Sequence, residues 1–135
     1  MTAGRGSAQR FLTTVLMTDI VGSTEHASEL GDSGWRDLIQ QHHALVRRAL
    51  RAHGGKEVDT AGDGFFATFD APAEAVACGL EIAVTVRVLG VEIRAGAHTG
   101  EVEQVGPKVG GITVPIAARI MAEASPGGRR PGRSP

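Results

Sequence analysis

Thr13 to Thr24 reads TTVLMTDIVGST, and no other stretch constrains the chain as tightly. Val15, Leu16 and Met17 form a short apolar run with β-branched neighbours, the pattern of a central strand buried on both faces, and the run stops at Thr18 and Asp19. A carboxylate thus stands at the mouth of a buried strand. Ile20, Val21, Gly22, Ser23 and Thr24 follow, and then the polar start of a helix, an order that aims successive backbone N–H groups at an anion over the strand end. An acid for a metal beside amides for a phosphate suggests a metal–nucleotide complex. The same residues also suit a plain turn, with Asp19 as turn former and Ser23 or Thr24 as helix N-cap, so the rest of the chain must decide.

The 135 residues suit a single domain with a real core. A net charge of -1 carries no basic excess, so nucleic acid is not an expected partner. Lone Cys78 excludes an intrachain disulfide and a cysteine-based zinc cluster. Neither a membrane-length apolar run nor a signal-peptide pattern is present, so no membrane partner is expected and the expected location is cytoplasmic. His42 and His43 are adjacent and His26, His53 and His98 are scattered, which argues against a histidine metal site.

In chain order, residues 1–10 read as a mobile leader, 11–125 as the domain and 126–135, PGGRRPGRSP, as a disordered basic tail. A strand is expected over Leu12 to Thr18 and a short helix over Ser23 to Leu30, stopped at Gly31. A second helix follows, capped at Asp32 or Ser33 and closed by Gly54 and Gly55; it sets Trp35, Leu38, Ile39, Leu45, Val46, Ala49 and Leu50 on one face. Lys56 to Ala61 and Phe65 to Phe69 form a hairpin about Gly62-Asp63-Gly64. A helix from Asp70 and Pro72 carries Val76, Ala77, Leu80 and Val84 on one apolar face, with Cys78 packing there and Val86 to Gly90 as its frayed end. Val91 to His98 is a fourth strand, and Val102 to Val105 a fifth after a turn at Thr99 and Gly100. A glycine loop leads to a last helix carrying Ile112, Ile116, Ala117, Ile120, Met121 and Ala124, with Pro115 in its first turn. Alternating strands and helices with one internal hairpin indicate an α+β or mixed α/β class.

A hairpin beside the first strand could bring Asp63 next to Asp19, and two carboxylates there can share a pair of divalent ions. At this point the chain resembles the class III adenylyl and guanylyl cyclase catalytic domain from about Thr13 to Pro126. The resemblance rests on VLMTDIVGST at Val15 to Thr24, TAGDGFFATF at Thr60 to Phe69, RAGAHTGEV at Arg94 to Val102 and VGGITVPIAARI at Val109 to Ile120, in the family's order and spacing. It implies a palm-like βαββαβ fold with helices on a mostly antiparallel sheet. It also implies a homodimer with shared active sites that converts ATP, or else GTP, to a 3′,5′-cyclic monophosphate and pyrophosphate. Carried over by position, Asp19 and Asp63 match the metal-binding aspartates for two Mg2+ or Mn2+ per site, and Ile20 matches the residue whose carbonyl also touches a metal. Val21, Gly22, Ser23 and Thr24 match the phosphate turn. Arg119 matches the catalytic arginine supplied by the partner subunit, although by itself it reads equally as a solvated helix arginine.

The chain also departs from the family pattern. Asp59 stands where the family's base-recognising lysine usually lies, and Lys108 where its partner aspartate lies, as though the charges were exchanged. The pair could serve adenine or guanine, or be surface charges. Pro115 replaces an asparagine that orients the ribose in the family. The family's last strands and their triphosphate-gripping lysine are missing, from which a truncated cyclase with reduced or lost activity and an exposed sheet edge is expected. The rival expectation is a non-catalytic nucleotide-binding or dimerisation module that regulates a partner. A diguanylate-cyclase-like palm fits less well, since Gly62-Asp63-Gly64-Phe65 lacks an acidic doublet, and a receiver-type phosphoacceptor lacks its acidic cluster ahead of Leu12.

Overall fold

The computed structural model describes residues 8–126. Its elements run β1 (Gln9–Ile20), α1 (Ser23–Ala52), β2 (Lys56–Ala61), β3 (Gly64–Phe69), α2 (Pro72–Thr85), β4 (Ile93–Val105), β5 (Lys108–Gly110) and α3 (Thr113–Glu123), with a 3₁₀ turn at Val86–Leu89. The strands form one antiparallel sheet in the order β2-β3-β1-β4-β5. This is the expected α+β class, built on a βαββαβ unit. Most of the expected leader, residues 1–7, and of the expected tail, residues 127–135, lies outside the described residues.

β1 is the central strand because its apolar run can be buried on both faces. Between Thr14 and Thr18 it pairs with β3 on one side and β4 on the other, and Val15 and Leu16 are buried on opposite faces. Leu16 joins Ile20, Val46, Leu50, Phe69 and Ile82 in the core beneath α1 and α2. Each such large side chain contributes about 1.5–3 kcal/mol by leaving water. Val15 faces the other way, with Val102 and Ala117 of α3, in a smaller core flanked by Met17, Phe66 and Val109. α3 covers only part of this second face, which leaves room for a site.

Several boundaries differ from the sequence expectation. β1 begins at Gln9 rather than Leu12 and runs through Asp19 to Ile20, so Gln9 and Arg10, assigned above to the leader, are strand residues and Asp19 is held by the sheet. The two expected helices join into α1, with a kink at Gly31 (φ 75°, ψ 174°), a backbone conformation that glycine adopts without a Cβ penalty. β4 runs unbroken through Thr99 and Gly100, which pair with Thr14 and Thr13, so the expected fourth and fifth strands are one. The actual β5 follows the turn at Gly106 and Pro107, within the stretch expected to be loop. The inward face of α2 is also corrected. Val76, Leu80 and Val84 are 54%, 55% and 60% exposed, while Ala75, Cys78, Gly79, Ile82 and Ala83 are buried. Small residues won because they let the helix lie close to the sheet: a Cβ on Gly79 would sit 3.4 Å from Leu16 Cδ1. Cys78 packs as expected, and burial pushes its thiol up to about 12, so it is protonated and unreactive.

α3 approaches β4 more closely still. A Cβ at Gly96 would lie 2.6 Å from the Ala117 carbonyl oxygen and would collide with the backbone N of Met121, neither of which can rotate away. Gly96→Ala is therefore expected to prise α3 off the sheet and to destabilise the chain by about 1–3 kcal/mol in urea unfolding. Gly110→Ala, where the added methyl meets nothing within 4 Å, is expected to be close to neutral by the same measurement.

Candidate active site

The site grows from the end of β1. Antiparallel pairing of Thr18 with Phe65 carries the β2–β3 turn to the strand end, where Asp63 Oδ2 accepts a hydrogen bond from the Ile20 N–H at 3.0 Å. Asp19 and Asp63 line one cavity of about 270 Å³ with Met17, Asp59, Phe66 and Met121. Asp19 is not free in it. Arg94, its partner across β4, donates from Nη2 to Asp19 Oδ2 at 2.8 Å and from Nε to Oδ1 at 3.2 Å, and its Nη1 donates to the Ala122 carbonyl at 3.2 Å. Asp19 and, more weakly, Asp63 raise the Arg94 pKa further. Arg94 lies within the quoted RAGAHTGEV motif yet was given no role from sequence. Its position opposite Asp19 depends on strand register.

A β-bulge at Val58 decides where Asp59 goes. Before it, Glu57 pairs with Ala67 on the α1 face; after it, Asp59 pairs with Phe66 on the site face. Without the extra residue, alternation would turn Asp59 toward α1. Asp59 and Lys108 line a second cavity of about 380 Å³ with Val58, Phe66, Pro107 and Val109, and Asp59 borders both cavities.

Gly22, in the left-handed region at φ 66°, is the N-cap of α1, and no side-chain hydrogen bond caps the helix. Ser23 and Thr24 are therefore first-turn residues rather than the expected caps. Val21 N–H is occupied by the Glu92 carbonyl at 2.8 Å, so amides available to an anion come from the first turn of α1. Arg119 is exposed on α3 and does not line the carboxylate cavity. The structure therefore brings Asp19, Ile20 and Asp63 together, sets Asp59 and Lys108 beside them and leaves Arg119 apart.

α1 holds the turn that carries Asp63. His43 meets the Phe65 ring edge-on at 4.8 Å, the Arg47 guanidinium lies 5.4 Å from the same ring centre, and Arg47 grips both Glu57 oxygens at 2.9 and 3.0 Å. This fork holds the Glu57 carboxyl down to about 2. His42 is fully buried, its Nδ1 3.0 Å from His43 Nδ1 and its Nε2 without a partner among the described residues.

Residues 8–126 match the family described as the adenylate and guanylate cyclase catalytic domain. The chain belongs to that family. It is 30% identical over 109 residues to an uncharacterised protein of Mycobacterium tuberculosis, covering 79% of this chain and 38% of that protein. It is 26% identical over 122 residues to the serine/threonine-protein kinase pkn2 of Myxococcus xanthus, covering 84% of this chain and 15% of the kinase, and 38% identical over 68 residues to an adenylate cyclase of Lachancea kluyveri, covering 50% and 4%. The chain thus spans well under half the length of these relatives. Among solved structures, the catalytic core of a rhodopsin-guanylyl cyclase with converted specificity, in complex with ATPαS, superposes with a TM-score of 0.82 at 23% identity, covering 90% of this chain and 77% of that one. The adenylyl cyclase CyaB from P. aeruginosa gives a TM-score of 0.79 at 23% identity, covering 90% and 76%. Among the described residues no helix is long and apolar enough to cross a membrane.

The support beneath the Asp63 turn has a pH signature. Burial, and then the neighbouring His43, lower the His42 pKa from 6.5 to about 4. The unfolded chain therefore takes up a proton that the folded chain refuses, and stability falls as the pH drops from about 6.5 to about 4, by on the order of 3 kcal/mol. His42→Leu, which also removes the unpartnered Nε2, is expected to flatten this acid limb in urea titrations between pH 7 and pH 4.5 (roughly the span of that shift). An unchanged slope would assign the acid sensitivity to other groups.

Proposed function

We propose that this chain acts as a nucleotidyl cyclase domain that converts ATP to 3′,5′-cyclic AMP and pyrophosphate, in a homodimer whose sites are shared between two copies. The observation that carries the reading is the pair of carboxylates, Asp19 and Asp63, in one cavity, with Asp63 bonded to the Ile20 N–H at 3.0 Å. The donor set suits a hard cation. Among the described residues no group of three or more His, Cys, Asp or Glu side chains converges as a metal site, so the protein would contribute two carboxylates and backbone oxygen. Mg2+ or Mn2+ held in this way completes its shell with water and phosphate oxygens. The guanidinium that Asp19 already holds is further evidence that this carboxylate accepts a cation.

In this reading Asp19, Asp63 and the Ile20 carbonyl hold the cations. When bound, these supply a more acidic 3′-hydroxyl and neutralise triphosphate charge. In the reaction the 3′-oxygen bonds to the α-phosphorus, the bond from that phosphorus to the oxygen bridging the α- and β-phosphates breaks so that pyrophosphate leaves with that oxygen, and the hydroxyl proton passes to water. Gly22 to Thr24, with Val21 leading in, offer the α1 N-terminus to the phosphates, where amide donors and the helix dipole both favour negative charge. Arg119, exposed on α3 and away from the cavity of its own chain, serves the site of a second copy and there balances charge developing at the α-phosphate. Asp59 and Lys108, lining the adjoining cavity, accept from and donate to the base edge. The same two side chains could read guanine, so GTP is the alternative substrate.

Purified protein with Mn2+ and ATP is expected to yield cyclic AMP by chromatography, and Asp19→Ala or Asp63→Ala to lower the rate at least about a hundredfold. Arg119→Ala is expected to cost a similar factor. Mixing Asp63→Ala with Arg119→Ala chains is expected to restore up to about a quarter of the unsubstituted rate, because half of randomly paired dimers then hold one intact site of two. Activity that survives both aspartate changes would remove the assignment, and failure of the mixture to recover would remove the shared site.

A further inference from the structure

Arg94 plays no part in the reaction scheme above, yet it makes the closest ionic contact in the site. Its Nε and Nη2 bind both oxygens of Asp19 at 3.2 and 2.8 Å, and its Nη1 binds the Ala122 carbonyl at 3.2 Å, so one planar group joins the carboxylate at the end of β1 to the last turn of α3. The pair is only partly exposed, 33% for the Arg94 side chain and 23% for Asp19, which limits screening by water. Arg94 lies directly across the β1–β4 pairing from Asp19, and sheet register leaves the two side chains little freedom to part by chance.

We infer that Arg94 is a resident counter-cation that occupies Asp19 in the metal-free chain, so that a divalent cation must displace it and, in doing so, releases the end of α3. The inference rests on the two-carboxylate reading given above and deepens it. A carboxylate whose two oxygens are engaged by a guanidinium fork cannot offer the same lone pairs to a metal ion, so the two cations compete. The competition keeps the site closed to the metal when the metal is scarce. Because the same guanidinium also holds Ala122, loss of its carboxylate anchor removes a tie on the C-terminal turn of the helix that carries Arg119. Cation occupancy at Asp19 is thereby transmitted to α3 through a single side chain.

The test uses the full chain without nucleotide, with Mn2+ as the probe, and needs no turnover. Calorimetric titration of the unsubstituted chain, Arg94→Gln and Arg94→Lys is compared with Asp19→Ala as the binding-deficient control. Arg94→Gln is expected to bind Mn2+ about three- to tenfold more tightly, the range a partly exposed charged hydrogen-bond pair can hold back. Arg94→Lys separates the fork from charge alone: it keeps the cation but loses the two-point grip, so it too is expected to bind more tightly. In parallel, hydrogen exchange in the last turn of α3 is expected to speed up when Mn2+ is added to the unsubstituted chain. In Arg94→Gln it should already be fast and insensitive to Mn2+. The exchange measurement on the unsubstituted chain needs no variant to fold. Mn2+ binding that is no tighter in either variant, or α3 exchange that ignores Mn2+ in the unsubstituted chain, overturns the inference and leaves the two-carboxylate reading standing. If neither the unsubstituted chain nor the variants take up Mn2+ beyond Asp19→Ala, both fall together.

Discussion

Two-sided pairing of β1 is the constraint on which the rest depends. A strand hydrogen-bonded on both edges and buried on both faces has its register specified four times over, because a slip of one residue would exchange Val15 with Leu16 and put every neighbour on the wrong side. The consequence is chemical as well as architectural. Register with β3 carries the turn bearing Asp63 to the Ile20 N–H, and register with β4 sets Arg94 against Asp19. The two carboxylates line one cavity because backbone pairing places them there, Asp19 against a guanidinium and Asp63 against a backbone donor.

The two faces of the sheet are treated differently. α1 and α2 seal one with large side chains, and α1 extends this support to the hairpin tip by packing His42, His43 and Arg47 around Phe65. The other face is only partly covered, by α3, and its remaining surface carries the cavities. A dense core behind a half-open face is a physical division of labour: rigidity is concentrated where the turn must be held, and access where a ligand would enter. α3 sits between these roles, pressed onto Gly96 and tied at its end to Arg94.

Much of this was legible from residue order. The turn at Gly62 and Asp63 and the helical spacing of Val46, Ala49 and Leu50 reflect local physics and lie where expected, whereas the strand expected to stop at Thr18 runs on to Ile20. α2 misled because it is apolar nearly all round: periodicity favoured the larger Val76, Leu80 and Val84, whereas close approach to the sheet favoured Ala75, Cys78 and Gly79. Thr99 and Gly100 resembled a turn, but Gly100 is required for space, since a Cβ there would strike the Thr113 side chain. No local signal announced the bulge at Val58, which is a property of two paired strands.

The sequence by itself determined the strand-turn-helix grammar, the α+β class, the family and the acidic and glycine-bearing turns at the end of β1, because propensity, periodicity and motif spacing act along the chain. Only the tertiary structure decided that Asp19 is engaged by Arg94, that Asp59 turns toward the site and that Arg119 stands apart from its own chain's carboxylates. Those facts arise between strands distant in sequence, where register and close packing choose which side chains meet.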